Sequence, residues 1–185
     1  MQTDLEIIER IIADEGGDRL VDNPADPGGI TKFGITLPAL KDFCRAERLP
    51  EARPDDIRNM RHDLAVGFYT WLLESSKIGQ LYDPLLRWFV FDAAVHMGNV
   101  QAIKLLQRAV GVEDDGILGP QTLARSAARD ARAACVLVGV EQALFYGRLA
   151  AKNLTDADKD GVPDQLEFLP GYLNRWARKM QEVTR

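Results

Sequence analysis

Two cysteines and two histidines in 185 residues leave little material for thiol or metal-centred chemistry. Cys44 and Cys135 stand in apolar, helix-like segments, which reads as two buried thiols in a reducing compartment, not a disulfide framework. No His-Glu-x-x-His motif is present and no Gly-x-Ser-x-Gly, so the usual zinc peptidase and serine hydrolase patterns are absent. There is no surplus of positive charge. The net charge is −5, the wrong sign for a phosphate-binding surface, and nucleic acid is not an expected partner. The longest apolar run, Ala133 to Val140, is far too short to span a bilayer, so no transmembrane segment is expected. The opening residues, Met1 to Glu6, lack a basic region leading into an apolar stretch, so no secretory signal is expected either. Internal repeats, low-complexity tracts and flexible linkers are also missing.

What remains is a chain with 46% apolar residues, enough for one substantial core, and almost entirely helical in pattern. Thr3 with Glu6 three residues on is a capping box, followed by Leu5, Ile7, Ile8, Ile11 and Ile12 at helical spacing. Gly16-Gly17 stops this helix. Residues 18 to 36 hold the only convincing strand or hairpin signal. Thr36 caps a second helix through Leu37, Leu40 and Phe43. After Pro50 and Pro54, Asp55 or Asp56 opens a third, carrying Ile57, Met60, Leu64, Phe68 and Trp71 without a break. A fourth follows Pro84 and ends at Gly98-Asn99, and a fifth carries Ile103, Leu106 and Val110. Gly111 to Pro120 is a turn region, with Pro120 in the first turn of the next helix. A long helix spans about Ala131 to Lys152, and a last one ends near Met180.

The chemistry concentrates at Glu15. The carboxylate sits at a helix C-terminus, where the macrodipole disfavours ionisation, and partial burial against Ile11 or Ile12 pushes the same way. A protonated carboxylic acid is what glycoside cleavage needs at the leaving oxygen. The glycines that follow let backbone and substrate approach closely. A polar loop rich in glycine and proline comes next. Asp22, Asn23, Gly28, Gly29 and Gly34 are its candidate substrate contacts. Asp26 is either a second catalytic carboxylate or an Asp-Pro-Gly-Gly turn residue, and Asp22 competes with it for the catalytic role.

The run Glu15-Gly16-Gly17, then Asn23, Asp26, Gly28, Gly29, Thr31, Gly34, Ile35 and Thr36, resembles the signature of the glycoside hydrolase family 108 N-acetylmuramidases, found among phage endolysins and secretion-associated muramidases. It departs at Asp18, where the family carries an aromatic, and at Pro24, which follows Asn23 directly. The resemblance implies a mainly helical, lysozyme-like all-α fold with a short loop or hairpin after the first helix. It also implies cleavage of the β-1,4 bond between N-acetylmuramic acid and N-acetylglucosamine in peptidoglycan glycan strands, with no catalytic cofactor. Related phage lysozymes order a Glu, an Asp and a Thr, and Glu15, Asp26 and Thr31 keep that order. On this reading Asp26 positions a water or stabilises positive charge on the sugar, and Thr31 orients the water.

Downstream, Phe91 to Val95, Ala102 to Val112, Asp115 to Leu123, Phe145-Tyr146 and Tyr172 to Trp176 resemble the peptidoglycan-binding segment that accompanies this family. Residue by residue, the Leu-Gln and Asp-Gly pieces also read as plain architecture: a helix, a turn and a capped helix. The expected division is a muramidase segment at 1–90 and a binding segment at 91–185, packed as one globular unit and acting as a monomer. His96 is a candidate for facing the substrate cleft as well as for a satisfied core histidine. Tyr69 and Trp71 are candidates for stacking on sugar rings, though helical register with Leu64 and Phe68 also places Trp71 in a core.

One motif stands outside the resemblance. Residues 156–167 fit the twelve-residue calcium loop, with Asp156, Asp158, Asp160, the Val162 carbonyl, Asp164 and Glu167 as ligands and Gly161 at the sharp turn. This stretch, with Lys159, carries −4 of the net charge, so without an ion its carboxylates repel. Pro163 has no N–H to give to a partner strand, so an isolated structural calcium loop is expected, inserted between two helices. The expected role is a phage or prophage endolysin, held in the host cytoplasm until release to the wall. A host muramidase serving a secretion system and a non-catalytic wall-binding protein are the alternatives.

Overall fold

The computed structural model describes residues 2–22, 29–152 and 164–185. It divides into two compact units, Met1–Gly79 and Gln80–Arg185. The expected division after residue 90 falls inside a continuous helix, Pro84–Met97; the compact units part earlier, at 79/80.

The first unit begins with α1 (Asp4–Asp14). Its start is fixed by the expected capping box: the Glu6 N–H donates to Thr3 Oγ1 at 3.2 Å and the Thr3 N–H to Glu6 Oε2 at 2.7 Å. Ile7, Ile8, Ile11 and Ile12 are buried, and the helix packs on α4 (His62–Ser75). Burying each of those isoleucines is worth roughly 1.5–3 kcal/mol. A small antiparallel sheet follows, β1 (Val21–Asp22), β2 (Ile30–Lys32) and β3 (Ile35–Thr36), in that spatial order. Thr31 pairs with Val21 on one side and Thr36 on the other. Thr36 caps α2 (Leu37–Ala46) as expected, accepting from the Ala39 N–H.

The single helix expected from Asp55 onward is two. A short α3 (Pro54–Arg58) ends before α4, and residues 59–61 turn between them. The cause is remote in sequence. Lys32 Nζ, from β2, donates to the carbonyls of Met60 (2.9 Å) and Arg58 (3.4 Å), groups that an unbroken helix would keep for itself. Trp71 of α4 is half-buried against the rings of Phe43 and Phe68. A 3-10 turn, Ile78–Gln80, follows α4.

The second unit is built round α5 (Pro84–Met97). Asp83 caps it, accepting from the N–H groups of Leu85 and Leu86. Leu86 and every residue from Trp88 to Ala94 are buried, the pattern of a helix covered all round. α6 (Asn99–Val110) ends on Gly111 in the left-handed conformation. α7 (Pro120–Ala127), α8 (Ala131–Lys152) and α9 (Asp164–Thr184) complete the unit. The last helix runs four residues beyond the expected end at Met180, because Arg132 of α8 donates to the Val183 carbonyl and extends its tie to α9. Among the described residues, Ala131–Ala151 is long and apolar enough to cross a membrane by length and composition. Here α8 packs against α5, α6 and α9, with Ala134, Cys135 and Val138 fully buried. Both cysteines are buried free thiols, and burial pushes Cys135 up to about 12.

Candidate active site

Glu15 is the C-cap of α1, and its N–H donates to the Ile11 carbonyl at 2.9 Å. Gly16 and Gly17 then take positive φ, which ends the helix and turns the chain away. The side chain of Glu15 lies against Gly34. A Cβ placed on Gly34 would stand 2.6 Å from Glu15 Cβ and 2.9 Å from its Oε2. Gly34 is glycine for two reasons at once: its φ is +73°, and any side chain would displace the Glu15 carboxylate. Gly34→Ala is expected to cost about 1–3 kcal/mol of stability through the backbone alone. It should also move the Glu15 side chain from its seat. A variant as stable as wild type in denaturant titration would refute the contact.

Gly34 is the second residue of the tight turn joining β2 to β3. Phe33, the first, also has positive φ, +54°. Positive φ at both centres is the type I′ pattern, whose twist suits a two-residue hairpin. The Phe33 N–H donates to the Gly17 carbonyl at 3.1 Å, which ties the turn to the segment just after Glu15. A groove of about 560 Å³ shares Gly17 and Phe33 with this turn and is further lined by Glu9, Ala13, Lys32 and His62. Across it His62 Nε2 lies 2.9 Å from Glu9 Oε2, and the His62 ring meets Phe33 edge-on.

The other expected site residues fall in several places. Asp22 is on β1, paired with Ile30, and its carboxylate takes an ion pair from Arg58 at 2.9 Å. Arg58 also binds Asp55, so it clamps β1 to α3, a role with no sequence signal. Gly29 enters β2 at φ +62°. Thr31 is the central residue of β2, with Oγ1 3.5 Å from the Gly29 carbonyl. Asn23, Asp26 and Gly28 lie outside the described residues.

Tyr69 is a correction. It is 1% exposed, so it presents no face to a sugar; its hydroxyl donates to the Phe33 carbonyl at 2.9 Å, under the turn. His96 lies in the second unit, in the last turn of α5, with its ring edge-on to Tyr172. Burial, and then the Arg175 charge, push it down to about 4, so it is neutral at pH 7. Asp156, Asp158, Asp160 and Val162 lie outside the described residues. Asp164 opens α9 and Glu167 falls in its first turn, with side chains also outside the description. Among the described residues no group of acidic, histidine or cysteine side chains is arranged to hold a metal.

In the second unit the Asp115-Gly116 motif is architectural. Buried Gln107 donates from Nε2 to Asp115 Oδ1 (2.7 Å) and the Ile117 carbonyl (3.0 Å), and accepts from the Gly116 N–H (2.8 Å). The loop is thereby fixed on α6, with Ile117 left exposed.

Residues 8–98 match the family model described as Glycosyl hydrolase 108. The chain belongs to the glycosyl hydrolase 108 family. Residues 101–177 match the model described as "Predicted Peptidoglycan domain". Glu15, the turn at Gly34 and the groove beside it all lie within the first match, which runs on through α5. The chain is therefore a glycoside hydrolase of the muramidase type that acts on and binds peptidoglycan. A solved structure, SagA of Brucella abortus, is similar over 97% of this chain and 92% of that one, with 25% identity and a TM-score of 0.74. No protein of curated function matches by sequence.

Proposed function

We propose that this hydrolase cleaves the β-1,4 bond between N-acetylmuramic acid and N-acetylglucosamine, with Glu15 as the general acid. The observation that carries the reading is the seat of Glu15: the end of α1, pressed on a glycine that no other residue can replace. Glu15 gives its proton to the leaving oxygen as the C–O bond breaks, a water adds to the anomeric carbon and gives up a proton to a loop carboxylate, and the product is a reducing-end N-acetylmuramic acid. Asp22 is engaged by Arg58, which favours Asp26 as the loop carboxylate that positions the water or steadies the sugar cation, with Thr31 orienting the water. Digestion of purified peptidoglycan followed by mass spectrometry tests the bond. Fragments ending in reducing N-acetylmuramic acid are expected; reducing N-acetylglucosamine ends, or free peptides alone, refute it.

The pairing of a hydrolase segment with a wall-binding segment supports an endolysin role, in which the protein is held in the host cytoplasm until the membrane opens. Cells expressing it should stay intact until the inner membrane is permeabilised and then lyse; lysis without permeabilisation sinks that role. We also hold to a structural calcium ion in the loop at 156–167, on its full set of ligand positions. At 100 times Kd an ion bound only to the folded state adds about 2.7 kcal/mol. Calcium should raise the melting temperature by several degrees over EDTA, and an unchanged melting temperature and unchanged activity would remove the ion from the account.

A further inference from the structure

Tyr69 and Glu15 both meet the β2–β3 turn, Tyr69 at the Phe33 carbonyl and Glu15 at Gly34. The Phe33–Gly34 peptide is the central peptide of the β2–β3 turn. It has two settings that leave the flanking strands paired. In the type I′ form both centres have positive φ, as here; in the type II′ form this one peptide is flipped and the second centre moves to negative φ. The two differ chiefly in where the Phe33 carbonyl points and how the Gly34 Cα is presented. Glycine at the second centre accepts both forms, but the first centre of type II′ is a glycine position, so the Cβ of Phe33 favours type I′. The residues therefore select the type I′ class, and tertiary contacts set the orientation of its central peptide within that class.

That orientation is fixed by a buried hydrogen bond. Tyr69, 1% exposed on α4, donates its hydroxyl to the carbonyl that a flip would reverse. Its ring is fixed edge-on by Phe68. The Phe33 N–H bond to Gly17 survives in both turn forms, so it does not discriminate between them. Gly34, on the far side of the same peptide, is the surface on which the Glu15 side chain rests.

We propose that Tyr69 is a positioning residue for the hydrolysis: its hydroxyl fixes the orientation of the Phe33–Gly34 peptide within the type I′ turn, and so sets where Glu15 holds its carboxyl. This rests on the reading of Glu15 as the acid. Tyr69 touches no substrate and takes no proton in the reaction. Its effect passes through one peptide plane to one carboxylate, and a misplacement of about 1 Å at a reacting group can cost on the order of a hundredfold.

The test uses the full chain and soluble, un-cross-linked glycan strands of alternating N-acetylglucosamine and N-acetylmuramic acid. Wild type, Tyr69→Phe and Glu15→Gln are compared for kcat, KM, pH–rate profile and melting temperature. Tyr69→Phe keeps the ring and loses the hydroxyl. It is expected to lower kcat by about tenfold or more, leave KM within about twofold, and displace the limb of the pH profile set by the acid. A smaller active fraction alone would lower kcat without moving that limb. An unmoved limb, or a rise in KM at unchanged kcat, overturns the proposal. If Tyr69→Phe does not fold, Phe33→Gly loosens the same peptide with Tyr69 in place, and its pH limb must move likewise. Should Glu15→Gln turn over at the wild-type rate, the assignment of the acid has failed, and the proposal with it. An inactive Glu15→Gln beside an unaltered Tyr69→Phe defeats the positioning role alone.

Discussion

Glu15→Gln should reduce peptidoglycan hydrolysis by about 10²–10⁴-fold, the usual worth of a placed general acid, while leaving the fold in place. The substitution keeps the side chain's size, so packing on Gly34 and the helix stop at Gly16-Gly17 survive. What is lost is the transferable proton. Release of reducing ends gives the rate, and the melting temperature should move little. Binding to the wall should persist, since the match to a peptidoglycan domain lies at 101–177, away from Glu15 in sequence. A folded, wall-binding and inactive Glu15→Gln separates catalysis from binding. A folded variant with wild-type release would place the acid elsewhere.

Much of the fold was legible because its determinants are local. The Thr3–Glu6 box, the Gly16-Gly17 stop, the Thr36 cap and Pro120 each act within a few residues, and each stands where expected. The break between α3 and α4 was not legible, because the lysine that holds it open is 26 and 28 residues away in sequence from its two carbonyl partners. Glu15 stands at the helix stop that its motif marks, yet the reason for Gly34 in that motif needed the contact between them. Tyr69 was misread for a physical reason. Nothing in the residues round it separates a sugar-stacking ring from a buried one, and its burial reveals that the hydroxyl serves the turn. His96 sits on the helix that carries Asp92, and its neighbours Arg175 and Tyr172 come from the far end of the chain.

Arg175 belongs to a buried charge cluster whose disruption should have the largest effect on stability. Asp92, 1% exposed on α5, accepts from Arg175 Nε at 2.9 Å and from Lys179 Nζ, both on α9. Lys179 also donates to the Phe89 carbonyl and lies 4.0 Å from the centre of the Phe89 ring. Burial by itself would raise the Asp92 carboxyl, but Lys179 and then Arg175 more than offset it and hold the group down at about 2. Asp92→Ala strands two buried cations and should cost about 3–5 kcal/mol, or on the order of 10 °C in melting temperature. A cost under about 1 kcal/mol would show that the cluster does not hold α9 to α5.

Acid should work on the same cluster in two stages. His96, with its folded value down at about 4, stays neutral in the fold while the unfolded chain protonates near 6.5, so stability falls as pH drops through that window. Asp92, with its folded value below the unfolded one, keeps its contribution above about pH 4 and loses it as pH falls toward 2. His96→Asn should flatten the first stage and leave the second. Replacing Asp92, Arg175 and Lys179 together by Leu, Met and Met should remove the second stage at little cost near pH 7, because the penalty of the single variant lies in the stranded charges more than in the lost pair. Denaturant titrations of the three variants from pH 7 to pH 2 would read both effects. A triple variant as unstable as Asp92→Ala would mean that packing round the cluster, and not its charge balance, secures α9.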